Sequence, residues 1–113
     1  NPPVFVSSEH PDIHEILKKH RTFIFGGHET WHQQLRKALP ELHLVSGTLH
    51  SVSPEIFQNA EYVLIFSGHM AHTVFDKGTA FLRKNGIPYG YLSQCNLELL
   101  EQKIAKIYEE EKQ

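Results

Sequence analysis

Apolar residues occur along the chain in two alternating arrangements. Compact apolar runs have the length and composition of β-strands, and they predict four of them, at 21–25, 42–46, 62–66 and 87–92. Between these runs, apolar residues spaced three and four apart predict helices, at 11–20, 30–39, 53–60, 72–85 and from 97 onward. The predicted order is a short N-terminal helix followed by four strand–helix pairs.

This alternation is typical of α/β proteins in which helices cover both faces of a parallel sheet. The run 62–66 is apolar without alternation, which indicates a central strand buried on both faces. Right-handed crossovers favour a three-layer sandwich whose four-stranded sheet has the order 2-1-3-4. We expect residues 1–113 to form a single Rossmann-like α/β domain, with 1–20 as an N-terminal extension and helix. Because the chain begins at Asn1, we also expect it to be processed or to be the C-terminal part of a longer protein.

Composition narrows the classes of function. With 113 residues, of which 40% are hydrophobic and 21% charged, the chain is ordinary globular protein. A net charge of −2 argues against nucleic acid as a partner, and no apolar run reaches the roughly 18 residues of a membrane helix. The single cysteine allows no internal disulfide, which fits a reducing compartment, and no secretory signal is visible at the start.

Topology predicts where a ligand binds. In an open parallel sheet, ligands bind beyond the carboxyl ends of the strands, where the winding direction reverses. In the order 2-1-3-4 this point lies between the first and third strands, and the loop after the fourth strand lies beside it. The expected ligand-binding residues come from these loops and the helix starts that follow them: Gly26, Gly27, His28, Thr30, His32, Ser67, His69, His72 and Ser93.

The loop after the first predicted strand has the features of an anion site. Gly26 and Gly27 allow the backbone to turn tightly and to approach a ligand closely. The helix after them directs unpaired N–H groups and a partial positive charge at that ligand, and Thr30 with Gln33 has the spacing of a capping box. The loop is neither a P-loop nor a GxGxxG motif. A plain strand-to-helix turn explains the same two glycines, so both interpretations stay open.

Histidine is abundant, with nine residues against eleven lysines and arginines. Three imidazole nitrogens and an open fourth position make a typical catalytic zinc site, so a divalent metal such as zinc is a candidate cofactor. Glu29 or Asp76 would then act as the general base. In the alternative, these side chains cap backbone groups or line a pocket. The candidate metal ligands are His28, His32, His69 and His72.

The last predicted helix suggests an assembly, and the residue before it suggests a reactive group. The stripe formed by Leu97, Leu100, Ile104 and Ile107 predicts a homo-oligomer that assembles through this helix. Cys95 lies at the helix start, where the helix dipole can lower the pKa of a thiol. We favour a small packed residue over a nucleophile at that position.

The loops also have a recognisable order between Thr22 and Leu100. Gly26-Gly27 follows the first strand, a histidine loop follows the third, and Gly86-Ile87-Pro88 precedes a short strand that ends near Ser93. This order resembles the bacterial domain-of-unknown-function family numbered 2325. That family often has arginine where His28 stands, and Cys-x-Ser-His where this chain has residues 69–72. The resemblance implies a cytoplasmic Rossmann-like domain and supplies no established activity.

Three functions are compatible with the sequence. The leading hypothesis is a small-molecule binding or sensing domain for an anionic ligand of the phosphate or nucleotide type, held at the carboxyl edge of the sheet. The second is a metal-dependent hydrolase that uses the histidine cluster. The third is a homo-oligomeric interaction module. The sequence alone does not decide whether the chain is an enzyme.

Overall fold

A computed structural model describes residues 13–47 and 53–109 of the chain. Its sheet contains four parallel strands in the order β2-β1-β3-β4, and the pairing is parallel throughout. The predicted α/β fold and the predicted strand order are therefore confirmed. The strand bounds are β1 Thr22–Gly26, β2 His43–Val45, β3 Tyr62–Phe66 and β4 Tyr89–Tyr91.

Helices cover both faces of this sheet, as the alternating pattern predicts. One face carries α1 (Ile13–Lys19), α2 (Glu29–Ala38) and α4 (Leu97–Ile107), whose apolar side chains share one core. The other face carries α3 (His72–Lys84) and a 3₁₀ helix at Pro54–Phe57, which share a second core. No helix in the described ranges is long and apolar enough to cross a membrane.

Successive residues of the central strands enter opposite cores. Ile24 of β1 and Leu64 of β3 pack under α1, α2 and α4, whereas Phe25, Val63 and Ile65 pack under α3. The three central residues of β3 are 0% exposed. This double burial explains why the run 62–66 is apolar without alternation.

Two local predictions were wrong. The segment 53–60 forms only one turn of 3₁₀ helix, because Gln58 leaves the helical region with ψ 133 and Asn59 has a φ of 71. The capping box at Thr30 is absent, because α2 begins at Glu29 and its N-cap residue is His28. Residues 11 and 12 of the first predicted helix, like the rest of the N-terminal extension to residue 12, lie outside the described residues.

The apolar stripe of α4 lies mostly inside the protein. Leu100 and Ile104 are fully buried and share a core with Ile13 and Leu17 of α1, whereas Leu97 is 38% exposed. The stripe is therefore accounted for by α1 and by the sheet. It no longer argues for assembly through the length of this helix.

Candidate functional site

The predicted switch point lies at the carboxyl edge between β1 and β3. The two strands are neighbours, and Gly26 at the end of β1 pairs with Phe66 at the end of β3. From these ends the chain enters α2 on one face of the sheet and α3 on the other. Two helix N-termini therefore begin at the same edge of the sheet, one on each face, as the predicted topology requires.

Glycine is required in the turn after β1. Gly26 and Gly27 both have a φ of +98°, a region that other residues rarely adopt. A methyl group on Gly26 would overlap the carbonyl oxygen of Phe66, and one on Gly27 would lie 2.7 Å from Cε3 of Trp31. The Trp31 ring, which is buried, meets the Phe66 ring edge-on with their centres 5.6 Å apart. This packing holds the turn close to both strand ends.

The two helices that start at this edge of the sheet lack side-chain capping hydrogen bonds. The N-cap residues are His28 for α2 and Ala71 for α3, and neither side chain accepts a hydrogen bond from the helix start. By contrast, Asn96 caps α4 by accepting a hydrogen bond of 3.0 Å from an amide of the first turn. The amides of 29–31 and 72–74 precede the first helical hydrogen bond of their helices, so they have no acceptor within the helix.

The candidate histidines have different environments. His28 and His72 are exposed at the starts of α2 and α3. His32 is only 2% exposed, and its Nε2–H donates a hydrogen bond of 2.6 Å to the carbonyl oxygen of Gly26. The hydrogen must lie on Nε2 in this contact, because a carbonyl oxygen can only accept. The backbone of His69 lies in a 3₁₀ turn after β3, and its side chain lies outside the described part of the structure.

The described side chains do not converge as a metal site requires. In the part of the chain that the structure describes, no group of three or more His, Cys, Asp or Glu side chains is placed to hold a metal ion. His32 would have to give up its hydrogen bond to Gly26 before its Nε2 could bind zinc. A metal site that includes the side chain of His69 stays a prediction.

Met70 is a part of the site that sequence reasoning missed. A methyl group on Gly47 would lie 3.1 Å from Cγ and Cε of Met70 and 3.2 Å from Cα of Gly26. A methyl group on Gly26 would lie 2.7 Å from Cε of Met70. The loops after β1, β2 and β3 therefore converge on this methionine. Two features of the sequence could have indicated this contact: an apolar residue within a polar loop, and a glycine directly after the second predicted strand.

The remaining candidates are hydroxyl groups and a thiol. Thr30, Ser67 and Ser93 are exposed at the same edge of the sheet. Cys95 is also exposed, so it is not the packed residue that we expected. Burial around its sulfur raises the pKa of this thiol, although a hydrogen bond from the backbone N–H of His28 acts in the opposite direction. Burial therefore outweighs any lowering of this pKa by the helix dipole, and the contact shows that the loops after β1 and β4 meet.

Among the depressions of the described surface, one adjoins the start of α3 and another lies at the amino edge of the sheet. A cavity of about 20 Å³ between the 3₁₀ helix Pro54–Phe57 and α3 lies beside Lys77, and it has room for about one water molecule. An open depression lies near the amino ends of β3 and β4, along 58–61 and 85–88. The cavity is lined by Thr73 and Val74 of the first turn of α3, so it adjoins one side of the candidate site, whereas the open depression includes no residue of either helix start.

Comparison with known proteins found no match for this chain. No family model, no curated protein and no solved structure matches it. These comparisons do not test the resemblance to the family numbered 2325, which stays a prediction. The function is therefore argued from the site itself.

Proposed function

We propose that this chain is a binding or sensing domain for a small anion of the phosphate or nucleotide type, held at the carboxyl edge between β1 and β3. The observation that carries the proposal is the pair of helix N-termini without side-chain caps at one edge of the sheet, where the amides of 29–31 and 72–74 have no acceptor within their helices. Each helix start carries a partial positive charge of roughly half a unit. An anion at this point would accept hydrogen bonds where other helices use a capping side chain.

The exposed histidines add an adjustable charge to these fixed donors. His28 and His72 stand at the two helix starts, so both imidazoles are near a ligand bound between them. Glu29 also lies in the first turn of α2, but its carboxylate is directed to Arg36, with the charged atoms 3.4 Å apart. This ion pair reduces the repulsion between Glu29 and a bound anion.

Amide spectra of the ¹⁵N-labelled chain provide the direct test. Inorganic phosphate should shift the amide signals of 29–31 and 72–74, and it should leave 60–62, at the amino edge, unchanged. Binding to the folded state should also raise the melting temperature as phosphate is added. If phosphate moves signals evenly over the surface, or moves none, the proposal is wrong.

Substitution of the histidines tests their part in binding. His72→Ala and His28→Ala should weaken binding, whereas His14→Ala should not, because His14 lies on α1 and bonds to Glu41 at 3.0 Å. Sulfate is the better probe for pH dependence, because its charge is constant from mildly acidic to alkaline solution. Sulfate affinity should be higher in mildly acidic than in alkaline solution, because an imidazole that gains a proton becomes positively charged, and this difference should be smaller in His72→Ala.

The hydrolase hypothesis predicts that metal affinity depends on pH in the opposite direction to sulfate affinity. Protons compete with zinc for imidazole nitrogens, so zinc affinity should fall as pH falls. Elemental analysis of protein purified without chelator would detect a resident metal. Stoichiometric zinc that is lost in His72→Ala would replace the anion proposal with the metal site.

Exposed apolar side chains favour a homo-oligomer as a second candidate function. Tyr91 at the end of β4 is 51% exposed, and Leu97 and Leu99 in the first turn of α4 are 38% and 44% exposed. If these residues form an interface, Leu99→Glu should dissociate the oligomer without unfolding the domain. Ile104→Glu would not test assembly, because Ile104 lies in the core. A wild-type monomer at high concentration in sedimentation would exclude this candidate.

A further inference from the structure

The buried imidazole of His32 connects the first turn of α2 to the last carbonyl of β1. Its ring is 2% exposed, and its Nε2–H lies 2.6 Å from the carbonyl oxygen of Gly26. The ring is therefore not available to contact a ligand directly. Its place in the fold requires a different role from that of His28 and His72, which are exposed.

The carbonyl of Gly26 needs a donor because the neighbouring strand ends too early. The pairing between β1 and β2 ends at Phe25 and Val45. In a parallel ladder the next donor from β2 would be the amide of Gly47, but that hydrogen bond is not among those of the described residues. The imidazole of His32 takes its place. A buried carbonyl left without a donor would be costly.

We infer that His32 is a positioning residue of the anion site, an inference that rests on the proposed function. Through its bond to Gly26 it holds the start of α2 at a set distance from the end of β1. The Gly26–Gly27 turn and the amides of 29–31 are thereby placed before a ligand arrives. Pre-placed donors bind more tightly, because binding then orders less of the chain.

Substitutions at His32 separate this role from stability in general. His32→Phe and His32→Met introduce an apolar side chain of similar size or length, which fills the same space but has no hydrogen-bond donor. His32→Gln keeps a donor at the end of the side chain. Thr22→Val is the matched control, because it removes a hydrogen bond of 2.7 Å to Tyr108 at the opposite end of the same strand.

Titration of the full chain with inorganic phosphate, followed by the amide signals of 29–31, gives the readout. We expect His32→Phe and His32→Met to weaken binding about tenfold, as when the displaced start of α2 loses one amide–phosphate hydrogen bond. His32→Gln should recover most of the affinity. Thr22→Val should lower the melting temperature without changing the affinity.

The outcomes distinguish the inference from the proposed function. If wild type binds phosphate and either donor-free variant binds it equally well while folded, the role of His32 is overturned and the anion site remains. If Thr22→Val weakens binding as much as His32→Phe, the effect is one of stability and the inference is again wrong. If phosphate shifts no amide of 29–31 in the wild type, both proposals fail.

Discussion

Replacement of Gly26 by alanine tests the turn on which the candidate site is built. The new methyl group would overlap the carbonyl oxygen of Phe66 and lie 2.7 Å from Cε of Met70. Met70 can move, since its side chain is flexible, but the carbonyl belongs to the end of β3 and moves only with the strand. The change therefore forces either strand end away from the other.

Two costs add at this position. For a residue with a Cβ, a φ of +98° is about 1–2 kcal/mol less favourable than an ordinary backbone conformation. Forcing an extra methyl into packed surroundings costs about 1–3 kcal/mol more. We expect Gly26→Ala to lower the free energy of unfolding by about 2–5 kcal/mol. For a domain of this size that corresponds to a fall in melting temperature on the order of 10–30 °C.

Gly86→Ala is the matched control. Gly86 also has a positive φ, of +66°, but nothing lies within 4 Å of where its Cβ would be. The free energy of unfolding of this variant should fall only by the backbone cost of about 1–2 kcal/mol. Urea unfolding of both variants at one pH measures the difference. Equal losses of stability would refute the overlap at the end of β3 and, with it, the tight approach of the two strand ends.

Three further predictions concern groups outside the glycine turn. Tyr108→Phe should lower the free energy of unfolding by about 1–2 kcal/mol in urea titrations, because its hydroxyl lies 2.7 Å from the buried Thr22 hydroxyl; no loss would contradict that bond. The hydrogen bond from His20 lowers the pKa of Glu61, and desolvation, which acts in the opposite direction, is the smaller effect. The stability that Glu61 adds is therefore present above the ordinary carboxyl pKa and is lost on acidification. Wild type should therefore exceed Glu61→Gln in stability near neutral pH and converge with it in acid, and a constant difference would contradict this. Because burial raises the pKa of Cys95, iodoacetamide should modify it more slowly at neutral pH in the folded chain than in urea, and an equal or faster rate would count against the raised pKa.

The sequence was sufficient to predict the sheet and its strand order. Strands β1 and β3 appear as short apolar runs because residues such as Ile24 and Val63 are buried on opposite faces of one sheet. Periodicity of this kind is a property of neighbours in the chain, so it is visible without the fold. The switch point then follows from the strand order and the handedness of the crossovers.

The order of the loops was not enough to predict the roles of the individual histidines. His28 and His32 are one helical turn apart, and the loop order assigns both to one ligand. Helical spacing aligns His32 with Leu35 and Leu39, which are buried, and this was the signal that favoured a core position. Helical spacing cannot show which group the ring bonds to. The carbonyl of Gly26 is available to His32 because β2 ends before it can supply a donor.

Tertiary structure alone decided which groups meet across loops. Met70 reaches Gly26 and Gly47, and Cys95 accepts a hydrogen bond from the backbone of His28, although these residues lie far apart in the chain. Local patterns record whether a residue is buried, since burial constrains its type at regular intervals. The identity of a contact depends on strand lengths and loop paths, and these are set by how the whole chain packs.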